Sequence, residues 1–218
     1  MTTTIPTTGV LLDMDGTLID STAVVDRVWT EWALAHGLEP ADVVGLVHGR
    51  QSLESIALLL PGCTPAEHAA ENDAMERRET AETEGIVAVP GAAALLTALA
   101  GVPHALVTSA SDQLARTRMA AAGLPVPAVA VTAERVTASK PDPEGFLVAA
   151  ANLGLTPGAC VVLEDSAVGI EAARRAGMRV VGVGAGAAAH GPDWTVRDLT
   201  EIRVDTRDVV PGLTLTLA

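Results

Sequence analysis

Apolar residues fall along this chain in two rhythms. Short runs, Gly9 to Leu12, Ala105 to Val107, Val161 to Leu163 and Val180-Val181, each stop abruptly at polar residues or glycine, which predicts buried strands ending in turns. Between them lie stretches with helical signals: 91–100 after Pro90-Gly91, 112–122 after Ser111, 143–153 with Asp142 as N-cap and Pro143 in the first turn, and 167–176 closed by Gly177. Strands alternating with helices of this length predict an α/β fold with a Rossmann-like parallel sheet.

Residues 20–84 follow the other rhythm. Val25, Val28, Trp29 and Trp32 recur at helical spacing up to His36-Gly37, which predicts an amphipathic helix. Pro40 opens a second helix through Val43, Val44 and Val47, a third covers about 52–60, and Thr64-Pro65-Ala66-Glu67 is a capping box for a fourth. This all-helical block, with joints near 18–22 and 84–90, cannot join the sheet layer. The expected division is therefore a catalytic core of residues 1–18 and 86–218, with a small helical cap at 19–85.

Composition narrows the partners. With 14 Lys+Arg against 27 Asp+Glu the formal charge is −13, which repels nucleic acid and anionic lipid surfaces. Aromatics make up only 2% of the 218 residues, leaving few rings for stacking bases. No apolar run approaches the ~18 residues of a membrane span, and the first basic residue is Arg27, so no secretory n-region is present. The expectation is a cytoplasmic protein, monomeric or weakly dimeric, without membrane or nucleic-acid partners. Cys63 and Cys160 have no zinc or CxxC spacing and read as ordinary buried thiols.

Ligands of an open parallel sheet bind beyond the carboxyl ends of its strands, and the polar clusters Asp13/Asp15, Thr108/Ser109, Lys140 and Glu164/Asp165 sit there or just beyond. Converging carboxylates need a cation, and hard oxygen ligands of this kind suit Mg²⁺. Hydroxyls, a backbone N–H and one lysine beside the ion make a phosphate pocket. Lys140 is the only lysine among the 14 basic residues, and a compact ammonium suits a crowded anion site better than a planar guanidinium. The string Asp-x-Asp-Gly-Thr arises by chance at on the order of 10⁻⁵ per position at average usage.

The segments LLDMDGTLIDS, LVTSAS, SKPDPEGF and VVLEDSAVGIEAARRAG resemble the four ordered motifs of the haloacid dehalogenase superfamily. HGL, VHGRQSLESI, ETEGIVAVPGA and VTAERV look like those of its sugar-phosphate and hexitol-phosphate phosphatases. The resemblance runs from about residue 9 to 186. It implies a Mg²⁺-dependent phosphomonoesterase acting on small phosphorylated sugars or polyols through an aspartyl-phosphate intermediate. Asp13 would be the nucleophile and Asp15 the general acid and then base. Asp13, the Asp15 carbonyl and Asp165 would hold Mg²⁺, with Glu164 behind them steering a water on the ion. Thr108, Ser109 and Lys140 would bind the phosphoryl group.

Two cap residues, Arg50 and His48, are candidates for substrate contact, with Asp20 and Ser21 at the hinge. The acidic stretch 67–84 reads as a solvated helix face. Gly182 to Ala187 match a dinucleotide-binding glycine pattern, but Gly191-Pro192 leaves no room for the long helix that pattern requires. Dehalogenases and phosphonate hydrolases of the superfamily lack a carboxylate at the place of Asp15. β-Phosphoglucomutase-like isomerases resemble the chain more closely, but commonly carry a histidine where this sequence has Val25. The other alternative is a catalytically silent phosphosugar-binding module. Residues 187–218 carry no readable function.

Overall fold

Every residue of the run Gly9–Leu12 is buried, a pattern met by a strand covered on both faces. In the computed structural model, which describes residues 2–206 and 212–218, this run is β2, preceded by β1 (Thr3–Thr7). Met1 and residues 207–211, within the expected core segments 1–18 and 86–218, lie outside the described residues. The chain continues through β3 (Ile19–Asp20), α1 (Thr22–Ala35), α2 (Pro40–Val47), α3 (Ser52–Leu59), α4 (Pro65–Ala81), β4 (Val87–Ala88), α5 (Ala92–Ala98), β5 (His104–Val107) and α6 (Asp112–Ala121). Then follow β6 (Val129–Val131), α7 (Glu144–Asn152), β7 (Cys160–Glu164), α8 (Ala167–Arg175), β8 (Arg179–Val183), β9 (Trp194–Val196), β10 (Ile202–Asp205) and β11 (Leu213–Leu217).

Six strands form one sheet in the order β6-β5-β2-β7-β8-β9, each neighbour parallel to the next. Alternate side chains serve opposite faces, as the period of two demands: Leu11 and Val162 pack with Phe146 of α7 and Ile170 of α8. Val10, Leu12 and Leu163 pack on the other side with Leu95 of α5 and Met119 of α6. The next strands in the chain lie on opposite sides of β2, β5 on one and β7 on the other. That reversal opens a crevice beyond the carboxyl end of β2.

The helical block forms as its periodicity requires. Val24, Val25, Val28, Trp29 and Trp32 of α1 are buried, and α1 ends at Gly37, whose φ of 68° suits a residue without a Cβ. The Trp32 indole N–H donates to Glu71 at 3.0 Å, tying α1 to α4. Thr64 and Glu67 exchange the two bonds of a capping box at the start of α4. The chain enters and leaves the block side by side, since β3 pairs antiparallel with β4 at Ile19↔Ala88 and Asp20↔Val87.

Several expectations need correction. Residues 187–218 are given no role by the sequence; among the described residues of this stretch β9 extends the main sheet, and β10 and β11 join β1 in a separate antiparallel sheet. Its signal is LTLTL, with Leu213, Leu215 and Leu217 buried and the threonines between them half-buried. The helix expected at 143–153 begins at Glu144 with Pro143 as N-cap, although Asp142 still accepts the Glu144 N–H at 2.9 Å. Cys160 is buried, but Cys63 is half-buried. The stretch 67–84 is not wholly a solvated face, because Glu79 is buried with Met75 on the inner side of α4.

The glycine-rich segment after β8 leads into a short 3₁₀ turn at Ala187–His190 and not into a long helix. No helix among the described residues is long and apolar enough to cross a membrane. Leu215 is fully buried in the centre of the three-stranded sheet, so Leu215→Ala is expected to cost about 2–5 kcal/mol. Urea denaturation measures this; an unchanged midpoint would mean the tail sheet does not contribute to the fold.

Candidate active site

Four loops deliver the polar clusters to the crevice. Asp13 follows β2 directly, and its N–H donates to Leu163 O of β7 at 3.0 Å. The chain then turns through Gly16, whose φ is +88° and where an added Cβ would lie 2.0 Å from Asp165 Oδ2. Only glycine lets the turn approach that carboxylate so closely. Gly169 does the same for Glu164: an added Cβ in α8 would fall 1.6 Å from Glu164 Oε1. Both glycines therefore set where the carboxylates of Glu164 and Asp165 lie.

Lys140, from the loop between β6 and α7, reaches under these groups. Its ammonium donates to Asp13 Oδ1 at 2.5 Å, Glu164 Oε1 at 2.8 Å and Val107 O at 3.3 Å, and lies 5.3 Å from the Phe146 ring centroid. Glu164 is further held by the Ser166 N–H at 2.6 Å. Thr17 donates to Asp165 Oδ1 at 3.2 Å. Thr108 is buried beside them, and its Oγ accepts the Ala110 N–H at 3.1 Å. Ser109 Oγ donates across to Gly49 O of the helical block at 2.8 Å.

The electrostatics are out of balance. One oxygen from each of Asp13, Glu164 and Asp165 lies within 4.8 Å of the others, and a single ammonium faces them. Burial, above all, raises the Asp13 carboxyl to about 7, with Glu164 and Asp15 adding to the shift and Lys140 opposing it. Burial, then the Glu164 and Asp13 charges, raises Asp165 well above the ordinary range. Burial disfavours the Lys140 ammonium, yet Asp13 and Glu164 outweigh it and raise its pKa. Hard oxygen donors carrying more negative charge than their lysine neutralises fit a small divalent cation such as Mg²⁺.

Asp15 lies in a different environment. Its Oδ1 accepts from Ser21 Oγ at 2.6 Å and from Arg118 Nη1 at 3.0 Å, while Arg118 Nη2 donates to Glu79 Oε1 at 3.1 Å. Arg118 and Glu79 are both buried. Neither was among the sequence candidates, although the signal exists: Arg118 interrupts the inward stripe Leu114, Ala115, Met119 of α6, and Glu79 follows Met75 by one turn of α4. Burial raises the Glu79 carboxyl above its usual range, and Arg118 pulls against the shift.

These groups meet at one cavity of about 80 Å³, lined among others by Asp13, Asp15, Thr108, Ser109, Arg118 and Asp165. The helical block supplies the facing wall, with Val25, Trp29, Val47, Glu79, His48 and Arg50. Arg50 is paired with Glu54 at 3.2 Å. His48 Nε2 is bonded to Asp26 at 2.9 Å, both side chains being about two-fifths exposed (43% and 41%).

Residues 7–177 match the family model of haloacid dehalogenase-like hydrolases. The chain belongs to that family. This haloacid dehalogenase-like hydrolase is similar to hexitol phosphatase A of Escherichia coli (strain K12), at 48% identity over 179 residues, 81% of this chain and 83% of that protein. It is also similar to the validoxylamine A 7'-phosphate phosphatase of Streptomyces hygroscopicus subsp. limoneus, at 35% identity over 88% of this chain and 94% of that one. Among solved structures, β-phosphoglucomutase from Clostridium difficile superimposes with a TM-score of 0.81 at 20% identity, covering 90% of this chain and 93% of that chain. At that identity the likeness concerns the fold.

The raised Asp13 carboxyl has a measurable consequence. Without divalent cation, the native protein keeps a proton at Asp13 between the ordinary carboxyl value of 3.8 and about 7, where the unfolded chain has released it. Stability from this group is therefore lost as pH rises through that window. The melting temperature of EDTA-treated protein should fall more steeply from about pH 4 to about pH 7 than that of Asp13→Asn, and saturating Mg²⁺ should raise it at neutral pH by binding the folded state alone. Parallel curves for the two proteins, with no Mg²⁺ effect, would contradict this account of the cluster.

Proposed function

We propose that this hydrolase is a Mg²⁺-dependent phosphomonoesterase for small sugar or polyol phosphates, working through a phosphorylated Asp13. The observation that carries the reading is a pair of carboxylates two residues apart at one cavity, in opposite settings. Asp13 is buried on Lys140, and Asp15 is held at one oxygen by Ser21 and Arg118. Two carboxyl groups with separate environments can divide nucleophile and proton-donor roles between them. The similar proteins named as phosphatases support the choice of reaction and the substrate class.

Asp13 attacks phosphorus as the bond to the substrate alkoxide breaks, and Asp15 gives that oxygen its proton. Water then attacks the phosphorus of the aspartyl phosphate, Asp15 takes the proton of the water, and Asp13 departs as carboxylate. The Thr108 hydroxyl, the Ser109 amide and the Lys140 ammonium hold the phosphoryl oxygens. Asp13, the Asp15 carbonyl and Asp165 would hold Mg²⁺, with Glu164 behind them, and the ion would neutralise charge building on the phosphoryl group. Residues 19–85 act as the cap over this site and exclude water from it, with Arg50 and His48 on the cavity wall as the cap's candidates for substrate contact.

Val25, at the place where the resembling mutases carry a histidine, is an almost fully buried side chain on the cavity wall. It offers a sugar hydroxyl no base, which favours transfer to water over transfer back to the sugar. The two free thiols suit a reducing, cytoplasmic setting.

Phosphate release from hexose, hexitol, glycerol and nucleotide monophosphates tests the reading. Release is expected with Mg²⁺ and not with EDTA, to favour the polyol and sugar substrates, and to fall at least roughly 10³-fold in Asp13→Asn. Undiminished release by Asp13→Asn would overturn it. So would conversion of β-glucose 1-phosphate to glucose 6-phosphate, after priming with a bisphosphate, without net phosphate release.

A further inference from the structure

Arg118 is 4% exposed and spans from the helical cap to the catalytic turn. One terminal nitrogen donates to Asp15 Oδ1 at 3.0 Å and the other to Glu79 Oε1 at 3.1 Å. The Trp29 side chain favours the charged form of Glu79, which suits an anion facing Arg118. The guanidinium Nε is the one buried side-chain nitrogen or oxygen without a hydrogen-bond partner among the described residues. A buried N–H left unpaired is costly. The side chain is thus turned to serve Asp15 and Glu79 at the expense of its own third contact.

The bonds on Asp15 are one-sided. Ser21 Oγ and Arg118 Nη1 both donate to Oδ1, and Oδ2 accepts no hydrogen bond within the protein among the described residues. A carboxylic acid that carries its proton on one oxygen can still accept bonds on the other. Two donors converging on Oδ1 therefore leave the acid proton to Oδ2.

We propose that Arg118, braced by Glu79 of the cap, is the positioning residue for the proton donor: with Ser21 it anchors Oδ1 of Asp15, so that Oδ2 serves the leaving oxygen. The proposal rests on the reading of Asp15 as the acid and adds residues from two further helices to it. Arg118 acts through Asp15 and needs no contact with the phosphoryl group. Its loss therefore matters most where the leaving group needs a proton and least where it does not.

That distinction gives the test. Removing Arg118 alone strands a buried Glu79 charge and invites misfolding, so the informative variant is the double one, Arg118→Met with Glu79→Gln, alongside Asp15→Asn. The readout is kcat/KM with Mg²⁺ for glucitol 6-phosphate, whose alkoxide must be protonated, and for acetyl phosphate, whose acetate leaves unaided. A melting curve establishes that each variant is folded.

In kcat/KM, which the first phosphoryl transfer sets before Asp15 is needed as base, both variants should lose on the order of 10²-fold or more on the polyol phosphate and at least about 10-fold less on acetyl phosphate. Glu79→Gln alone, in which an amide oxygen can still receive Arg118, should retain more activity on the polyol phosphate than the double variant. Equal losses by the double variant on both substrates, or no loss on either, would overturn the positioning role. If Asp15→Asn itself shows no leaving-group dependence, the acid assignment fails instead, and the two failures are told apart by which protein departs from expectation. A double variant that does not fold leaves Glu79→Gln to decide: a selective drop on the polyol phosphate supports the proposal, and parallel behaviour on both substrates contradicts it.

Discussion

Two buried carboxylates and a half-buried third gather around one ammonium at the end of the central strand, and the rest of the site is arranged around that imbalance. Asp13 and Glu164 both bond Lys140, while Asp165 lies beside them with a threonine hydroxyl on one oxygen. Left in water such groups would repel each other weakly; buried together, their repulsion is large. The fold tolerates it because every approach is fixed by backbone. Gly16 and Gly169 open the space for Asp165 and Glu164, and β2 and β7 are neighbours in register, with Leu12 opposite Leu163. A site assembled this way holds carboxyl protons that a small hard cation can replace.

A second charge system sits beside the first and answers to a different cation. Asp15 meets the planar guanidinium of Arg118, not the ammonium of Lys140, and Arg118 is in turn shared with Glu79 of α4. The two carboxylates of the Asp-x-Asp motif thus bond different cations although only Met14 lies between them. The sheet supplies one system, and contact between α6 and the helical block supplies the other. The block therefore contributes a buried charge to the core as well as a wall of the cavity.

The legible parts of the chain were those whose signals are contiguous. Apolar runs of three or four residues ending in polar clusters mark β2, β5 and β7, and position 140 is marked by the lone lysine of the chain. The capping box at Thr64 fixed the start of α4. Arg118 and Glu79 do not stand out because each sits among other charged residues on its helix and its partner is 39 residues away. The stripe of buried positions around Arg118 held the clue, since an arginine at an inward position must find an anion. The tail sheet was missed for a simpler reason: LTLTL alternates cleanly, but its partner β1 lies at the other end of the sequence, and pairing across that distance leaves no local trace. The short β6 and β9 carry three residues each, too few for a period to show.

The central claim is that Asp13, held on Lys140, carries the phosphoryl group between substrate and water. Rapid acid quench of a single turnover with glucitol 6-phosphate and Mg²⁺, followed by peptide mass analysis, tests it directly. The account predicts a transient phosphoryl adduct on the peptide containing Asp13, rising before free phosphate and absent in Asp13→Asn. Phosphate appearing at the same rate with no adduct on that peptide, or an adduct on a different residue, would contradict it.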